Sequence, residues 1–151
     1  MIRHLQIRWI SVILFGCLFP KCVVYGQAGD PSPATGVREV ISRLKTSLET
    51  KDIDLFSSCL SPTQMKGIEE QKRNLLETWK KFSYSLDIMG LPQVNVNGAS
   101  ADAELMVIFS LRNAEGVSTS MPPVKMVLQF REEDGRWKIS DGRLEWSLPP
   151  K

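Results

Sequence analysis

Few residues of this 151-residue sequence could carry nucleophilic, imidazole or metal chemistry. The one histidine is His4, and it lies in an N-terminal segment that we expect to be removed. Cys59 falls in LFSSCL, on what the pattern indicates is a buried helix face, where a thiol packs as a small apolar side chain. Nucleophilic use of Cys59 would require a base beside it. We therefore predict an inert core thiol and no metal site.

A phenol and a carboxylate remain as candidates for proton transfer. Tyr84 has the same strand parity as the apolar residues of FSYSLDIM, and Asp141 precedes Gly142 near the end of the chain. In an enzyme, Tyr84 would serve as hydrogen-bond donor and Asp141 as acid or base. The alternative is structural. Tyr84 is then a core aromatic residue, and Asp141 faces water at a bulge where the apolar phase changes from odd to even positions.

The first 26 residues are organised like a secretory signal peptide. MIRHLQIR is basic, and WISVILFGCLF is an apolar run of 11 residues, whereas a membrane-spanning helix needs about 17–25. Val24 and Gly26 occupy the small-residue positions before a cut. This predicts a periplasmic or secreted protein with a linker over 27–33, a folded domain over 34–148 and no membrane span after cleavage. Lipidation at Cys17 and an uncleaved anchor remain alternatives.

Charge gives no indication of a nucleic-acid partner. Three of the 19 basic residues precede Gly26 without any acidic residue among them, which leaves 16 basic against 17 acidic residues, a formal charge of −1. A nearly neutral domain has no electrostatic footprint for a polyanion. Apolar residues make up 42% of the chain and charged residues 24%, as in an ordinary globular protein.

Apolar spacing divides the domain into a helical part and a strand part. The periodicity predicts helices near 34–50, 53–60 and 62–81. Asp52 is placed to cap the second helix, and Ser61, followed by Pro62, to cap the third.

From Phe82 onward the apolar residues alternate with a period of two. Strands FSYSLDIM and QVNV are separated by a turn at GLP, and hairpins are expected at Asn97-Gly98 and Asp134-Gly135. NAEGVSTSMPP is expected to be a loop. Three helices followed by a meander of four to five antiparallel strands predict an α+β fold, with helices on one face of the sheet.

Strand parity also predicts an apolar patch on the face that the helices leave open. This face is polar except for Met106, Ile108 and Val127, near the middles of two strands that should pair. An apolar centre with a polar rim is typical of a protein interface, so these residues are candidates for a homodimer contact. The alternative is that they are ordinary exposed apolar residues without a partner.

The order of elements, together with ETKDIDLFSSCLSP, VNVNGASADAEL and REEDGRWKISDG, resembles the nuclear transport factor 2-like superfamily. More narrowly, the chain is similar to small secreted bacterial SnoaL-like members. The resemblance covers roughly residues 34–148 and rests on helix caps and hairpin turns. It implies a cystatin-like cone, in which a strongly bent sheet wraps around three N-terminal helices and encloses a pocket. The candidates for lining this pocket are Tyr84, Phe109, Met126 and Trp137 on the inner face, and Trp146 at the cone mouth.

The superfamily includes ketosteroid isomerases, polyketide cyclases, dehydratases and non-catalytic binding or dimerisation modules, and the fold does not choose among them. An isomerase needs an interior carboxylate base, but the inner face offers none before Asp141. The favoured hypothesis is a non-catalytic extracytoplasmic module, without a cofactor, that binds a small apolar ligand or a protein partner. The alternative is an isomerase-, cyclase- or dehydratase-type enzyme with its pocket at the cone mouth.

Overall fold

A computed structural model describes residues 32–63 and 67–145. The predicted signal segment 1–26, with Cys17, and the pocket candidate Trp146 lie outside these residues. The elements in chain order are helices α1 (Pro33–Thr50), α2 (Ile53–Cys59) and α3 (Ile68–Lys81), then strands β1 (Phe82–Asn97), β2 (Ser100–Asn113), β3 (Ser118–Ser120), β4 (Val124–Glu133) and β5 (Arg136–Glu145). None of the three described helices is long and apolar enough to cross a membrane.

The first two helices confirm the sequence prediction closely. The stripe that α1 buries contains Val37, Val40, Ile41 and Leu44. Asp52 caps α2 as expected, because its Oδ1 accepts hydrogen bonds from the backbone N–H groups of Asp54 at 3.1 Å and Leu55 at 2.9 Å.

The prediction that the third helix begins at residue 62 is wrong. The described helix begins at Ile68, after Gly67, while Ser61 is buried and its backbone N–H donates to the Ile139 carbonyl at 2.8 Å. The Ser61 and Thr63 hydroxyls donate to Glu133 Oε1 at 2.5 and 2.8 Å. These two bonds hold the pKa of Glu133 below its ordinary value. The hydroxyls therefore anchor the segment after α2 to the end of the sheet.

The strands form a five-stranded antiparallel sheet in the order β1-β2-β4-β5, with β3 also beside β2. Both predicted hairpins are confirmed. Gly98 has φ 60° in the β1–β2 connection, and Asp134 and Gly135 have φ 51° and 71° between β4 and β5. Two consecutive positive φ angles are what a type I′ turn requires. The segment predicted as a loop after β2 contains the short strand β3.

The predicted turn at GLP is instead a bulge inside a single long strand. β1 runs through it, and the pairing with β2 shifts between Met89↔Met106 and Gln93↔Glu104. Gly90 supplies a φ of 77°, and Pro92 lies on a strand at the sheet edge, where its missing N–H breaks no ladder bond. The chain bends at this point without reversing.

The helices cover one face of this sheet, which we call the inner face. The core joins the α1 stripe to inner-face side chains of all four long strands: Leu86, Ala101, Ala103, Leu105, Val107, Val124, Met126, Leu128, Phe130, Trp137 and Ile139. Helix α1 approaches β5 very closely, since a Cβ atom on Gly36 would lie 2.8 Å from Trp137 Cδ1. A residue without a side chain is needed at position 36.

Two α1 side chains also occupy the open edge of β1. The Leu86 carbonyl accepts a hydrogen bond from Lys45 Nζ at 2.6 Å, and the Leu86 N–H donates to Glu49 Oε1 at 3.3 Å. Lys45 and Glu49 form an ion pair with each other. The pair therefore satisfies edge groups that could otherwise recruit another strand.

We predict that Gly36→Ala lowers stability, although alanine in a helix is normally favoured over glycine by up to about 1 kcal/mol. The new methyl group would be forced against the buried indole of Trp137, and overpacking of this kind costs about 1–3 kcal/mol. Urea unfolding should show a lower midpoint. Ser42→Ala, at an exposed position of the same helix, is the control and should not destabilise. A raised midpoint for Gly36→Ala would contradict the packing described.

We predict that Glu49→Gln lowers stability by no more than about 1 kcal/mol at neutral pH. The hydrogen bond from Lys45 lowers the pKa of Glu49 in the folded state, so its contribution is present above the unfolded pKa of about 4.3 and is lost as the pH falls through the folded value. The difference between wild type and variant should therefore shrink below about pH 4. Glu77→Gln, which breaks an exposed pair with Lys80, is the matched control. Equal losses of stability in the two variants would show that the contact between Glu49 and the edge of β1 contributes no stability of its own.

Candidate functional site

The inner-face candidates are placed mostly within the core. Met126 and Trp137 are buried, and Phe109 is half-buried against the core. Tyr84 is half-buried in β1, opposite Leu111 of β2. The surface clefts described below are lined by other residues, whereas Met126 and Trp137 belong to the core and Phe109 packs against it.

Asp141 and Tyr84 are not brought together. Asp141 is exposed and pairs in register with Gln129, whose side chain is on the face that the helices leave open, here called the outer face. Its Oδ1 accepts a hydrogen bond from the Gly142 N–H at 2.8 Å. Because Tyr84 has the parity of the inner face, the proposed donor and base lie on opposite faces of the sheet.

Glu49 is a carboxylate near the inner face that sequence reasoning did not select. It accepts from Leu86 N–H and pairs with Lys45, and the Lys45 bond keeps its pKa low. A carboxylate with a lowered pKa is a weak base, whereas catalysis near neutral pH usually needs a raised one. The i, i+4 spacing of Lys45 and Glu49 was visible in the sequence, but their position at the edge of β1 was not.

One cleft of about 530 Å³ lies where α2, the start of α3 and the β4–β5 hairpin meet. Its walls carry charges of both signs, including Lys72, Glu133, Arg136 and Lys138. Lys138 Nζ donates to the Ser58 carbonyl, and Glu133 is occupied by the two hydroxyls after α2. These hydrogen bonds hold the β4–β5 hairpin against α2 and the segment after it, so the groups have a structural role.

The outer face differs in part from the predicted apolar patch. Met106 is 38% exposed and Ile108 is half-buried, whereas Val127 is only 5% exposed. Val127 is flanked in register by Glu104 and Arg143, whose long side chains stand on either side of it. Val127 is therefore corrected from an exposed contact residue to a buried one.

Two residues that sequence reasoning missed extend the apolar surface at the β1 bulge. Met89 is the cross-strand neighbour of Met106, and Leu91 is 85% exposed between Gly90 and Pro92. Met89, Leu91 and Met106 line one small cleft of about 200 Å³, and we call these three residues the bulge patch. The signal was present in MGLP, but it was interpreted as a turn.

Charged side chains border the bulge patch and are paired with one another. Lys125 Nζ lies 2.9 Å from Glu104 and 3.4 Å from Glu145, and Arg143 lies 2.9 Å from Glu145. Within residues 32–63 and 67–145, no group of three or more His, Cys, Asp or Glu residues is arranged to hold a metal ion. Cys59 is buried and burial raises the pKa of its thiol, which disfavours the reactive thiolate.

Comparison with known proteins identifies the fold. No protein-family model and no curated protein sequence matches the chain. Among solved structures, a nuclear transport factor 2-like superfamily protein from Salmonella enterica is 19% identical with a TM-score of 0.65, covering 78% of this chain and 92% of that one. A protein of unknown function with a cystatin-like fold from Nostoc punctiforme is 17% identical with a TM-score of 0.56, covering 76% and 92%.

A third similar structure, from Catenulispora acidiphila, was solved in complex with S-DNPA. It is 13% identical with a TM-score of 0.59, covering 72% of this chain and 89% of that one. At these identities the similarity establishes the fold, and it agrees with three helices packed on a bent antiparallel sheet. This chain therefore has the nuclear transport factor 2-like, or cystatin-like, fold.

Proposed function

We propose that this chain is a non-catalytic extracytoplasmic module that binds a protein partner through the outer face of its sheet, and that this partner is a second copy of the chain. The observation that carries the proposal is the bulge patch. Leu91 is 85% exposed beside Met89 and Met106, while the inner face is occupied by the core. Exposed apolar side chains that cluster at one place favour an interaction surface over isolated exposure.

The charges of the outer face favour self-association. Lys125, Arg143, Glu104 and Glu145 form a locally neutral network beside the bulge patch. Two copies of this network can meet across a two-fold axis without net repulsion, with the cations of one copy facing the carboxylates of the other.

The face has nearly the size of a standard protein interface. Four strands spaced about 4.8 Å apart and about ten residues long span roughly 20 by 33 Å. A stable interface covers about 800 Å² of accessible surface on each partner. The relief of the side chains and the protruding bulge add accessible area to this flat rectangle.

The placement of Tyr84 and Asp141 supports a binding role over the isomerase, cyclase or dehydratase alternative. With these residues on opposite faces, the alternative lacks its base, and Glu49 is held by Lys45 and the Leu86 N–H. A small apolar ligand within the cone would have to displace side chains such as Met126 and Trp137 that are buried in the core. A protein partner at the outer face requires no such rearrangement.

The self-association proposal predicts a dimer in sedimentation velocity at tens of micromolar protein. Met106→Glu should shift it to monomer, because the interface would have to bury an additional carboxylate in its apolar centre. Since Met106 is exposed, the Met106→Glu variant should unfold at a temperature near that of the wild type. A charge at the half-buried Ile108 would be more destabilising to the monomer. Val117→Glu replaces an apolar residue 59% exposed in the loop before β3 and should remain dimeric. A monomeric wild type, or a Met106→Glu variant that dimerises unchanged, would overturn the proposal.

The extracytoplasmic location rests on the N-terminal pattern and has its own test. The full chain, expressed in a Gram-negative host, should appear in the periplasmic fraction with a mass that begins at Gln27. A chain beginning at Cys17 with added acyl mass would show a lipid anchor in place of simple cleavage. An uncut chain retained in the cytoplasm would refute export.

A further inference from the structure

A second cleft, on the helical side of the domain, has the size of a ligand site. It is an open groove along α2 and α3 with a volume of about 690 Å³, within the range of about 300–1,000 Å³ typical of small-molecule pockets. Ile53, Leu76 and Trp79 supply its apolar lining. Helix α3 buries only Trp79 among its 14 residues, and Leu76 remains exposed. The apolar side of α3 is thus incompletely covered by the described residues.

Trp79 contains a polar group that is unsatisfied. Its side chain lines the cleft and is 4% exposed, yet its Nε1–H is buried without a hydrogen-bond partner among the residues that the structure describes. Buried indole N–H groups normally have an acceptor, because a buried donor without a hydrogen bond loses its hydration and gains nothing in return. An acceptor supplied from the cleft would remove this penalty.

The charges around the cleft favour an anionic ligand. Lys72 pairs with Glu69 at 3.2 Å and Lys80 with Glu77 at 2.6 Å, so these four charges compensate one another. Lys51 Nζ donates to the Trp79 carbonyl at 2.6 Å. Among the described residues, no carboxylate forms an ion pair with Lys51.

Two further charged residues complete the lining. In the described part of the chain neither Arg73 nor Asp54 makes an ion pair. Lys51 and Arg73 together therefore exceed Asp54 by one positive charge. The cleft thus combines an apolar floor, an unsatisfied donor and one uncompensated cation.

We propose that this cleft binds an amphipathic carboxylate, such as a medium-chain fatty acid. The apolar chain covers Leu76 and Ile53, the carboxylate pairs with Arg73, and a carboxylate oxygen becomes the acceptor for Trp79 Nε1–H. Because Nε1 is buried in the free protein, binding must open the cleft enough to bring the acceptor to it. The indole resonance of Trp79 therefore reports occupancy directly.

The test is a titration of the ¹⁵N-labelled protein with sodium octanoate, monitored by the indole N–H resonances and by calorimetry. Octanoate should move the Trp79 indole signal, which Trp79→Phe identifies by its loss. 1-Octanol and octyltrimethylammonium, which share the chain but not the negative charge, should bind at least tenfold more weakly, as expected when a charged hydrogen bond is missing. Equal binding of all three probes, or an unmoved Trp79 signal, would overturn the proposal.

Arg73→Gln provides the matched variant. It should weaken octanoate binding about tenfold while leaving the fold intact, because Arg73 is exposed. Arg131→Gln, exposed on β4, should bind like wild type. If Trp79→Phe fails to fold, Arg73→Gln against Arg131→Gln still decides. Met106→Glu should also bind normally, since the proposed dimer surface contributes no residue to this cleft.

Discussion

The structure depends on the burial of one helix stripe against one face of a bent sheet. Val37, Val40 and Ile41 of α1 are almost completely excluded from solvent, and the inner-face residues of all four long strands close around them. Because Gly36 has no side chain, α1 can approach β5 closely, and Trp137 fills the space that a Cβ atom at position 36 would need. This close packing stabilises the domain and also leaves the core little room for a ligand.

Because the described inner-face side chains belong to the core, the functional question concerns the surfaces. Similar structures include one solved in complex with S-DNPA and one of unknown function, and the fold itself does not decide the activity. In this chain, two places carry groups that the described residues leave without a partner. Apolar side chains are exposed at the β1 bulge, and an indole N–H and one uncompensated positive charge lie beside α3. These two surfaces involve different elements, so occupancy of one and association through the other can be tested separately.

Local chemistry explains what could be predicted from the sequence. Alternation with period two assigns each strand residue to a face, and the Asp134-Gly135 turn needs only local φ preferences. The errors occur where a tertiary partner decides between two locally acceptable outcomes. Ser61 could cap a helix or bond to Glu133, whose approach depends on the β4–β5 hairpin. Val127 has the parity of the outer face, but its burial depends on Glu104 and Arg143 beside it.

The two bulges show how small register changes determine which side chains are available. In β1, three residues oppose one residue of β2, so the register shifts by two and Val94 keeps the inner parity of Leu86. The inserted Leu91 projects outward without disturbing the core. In β5 a single extra residue, Ser140, intervenes between Ile139 and Asp141, so parity reverses and Asp141 joins the outer face. One bulge thus exposes an apolar side chain while preserving the core, and the other removes a carboxylate from the inner face where a base would be required.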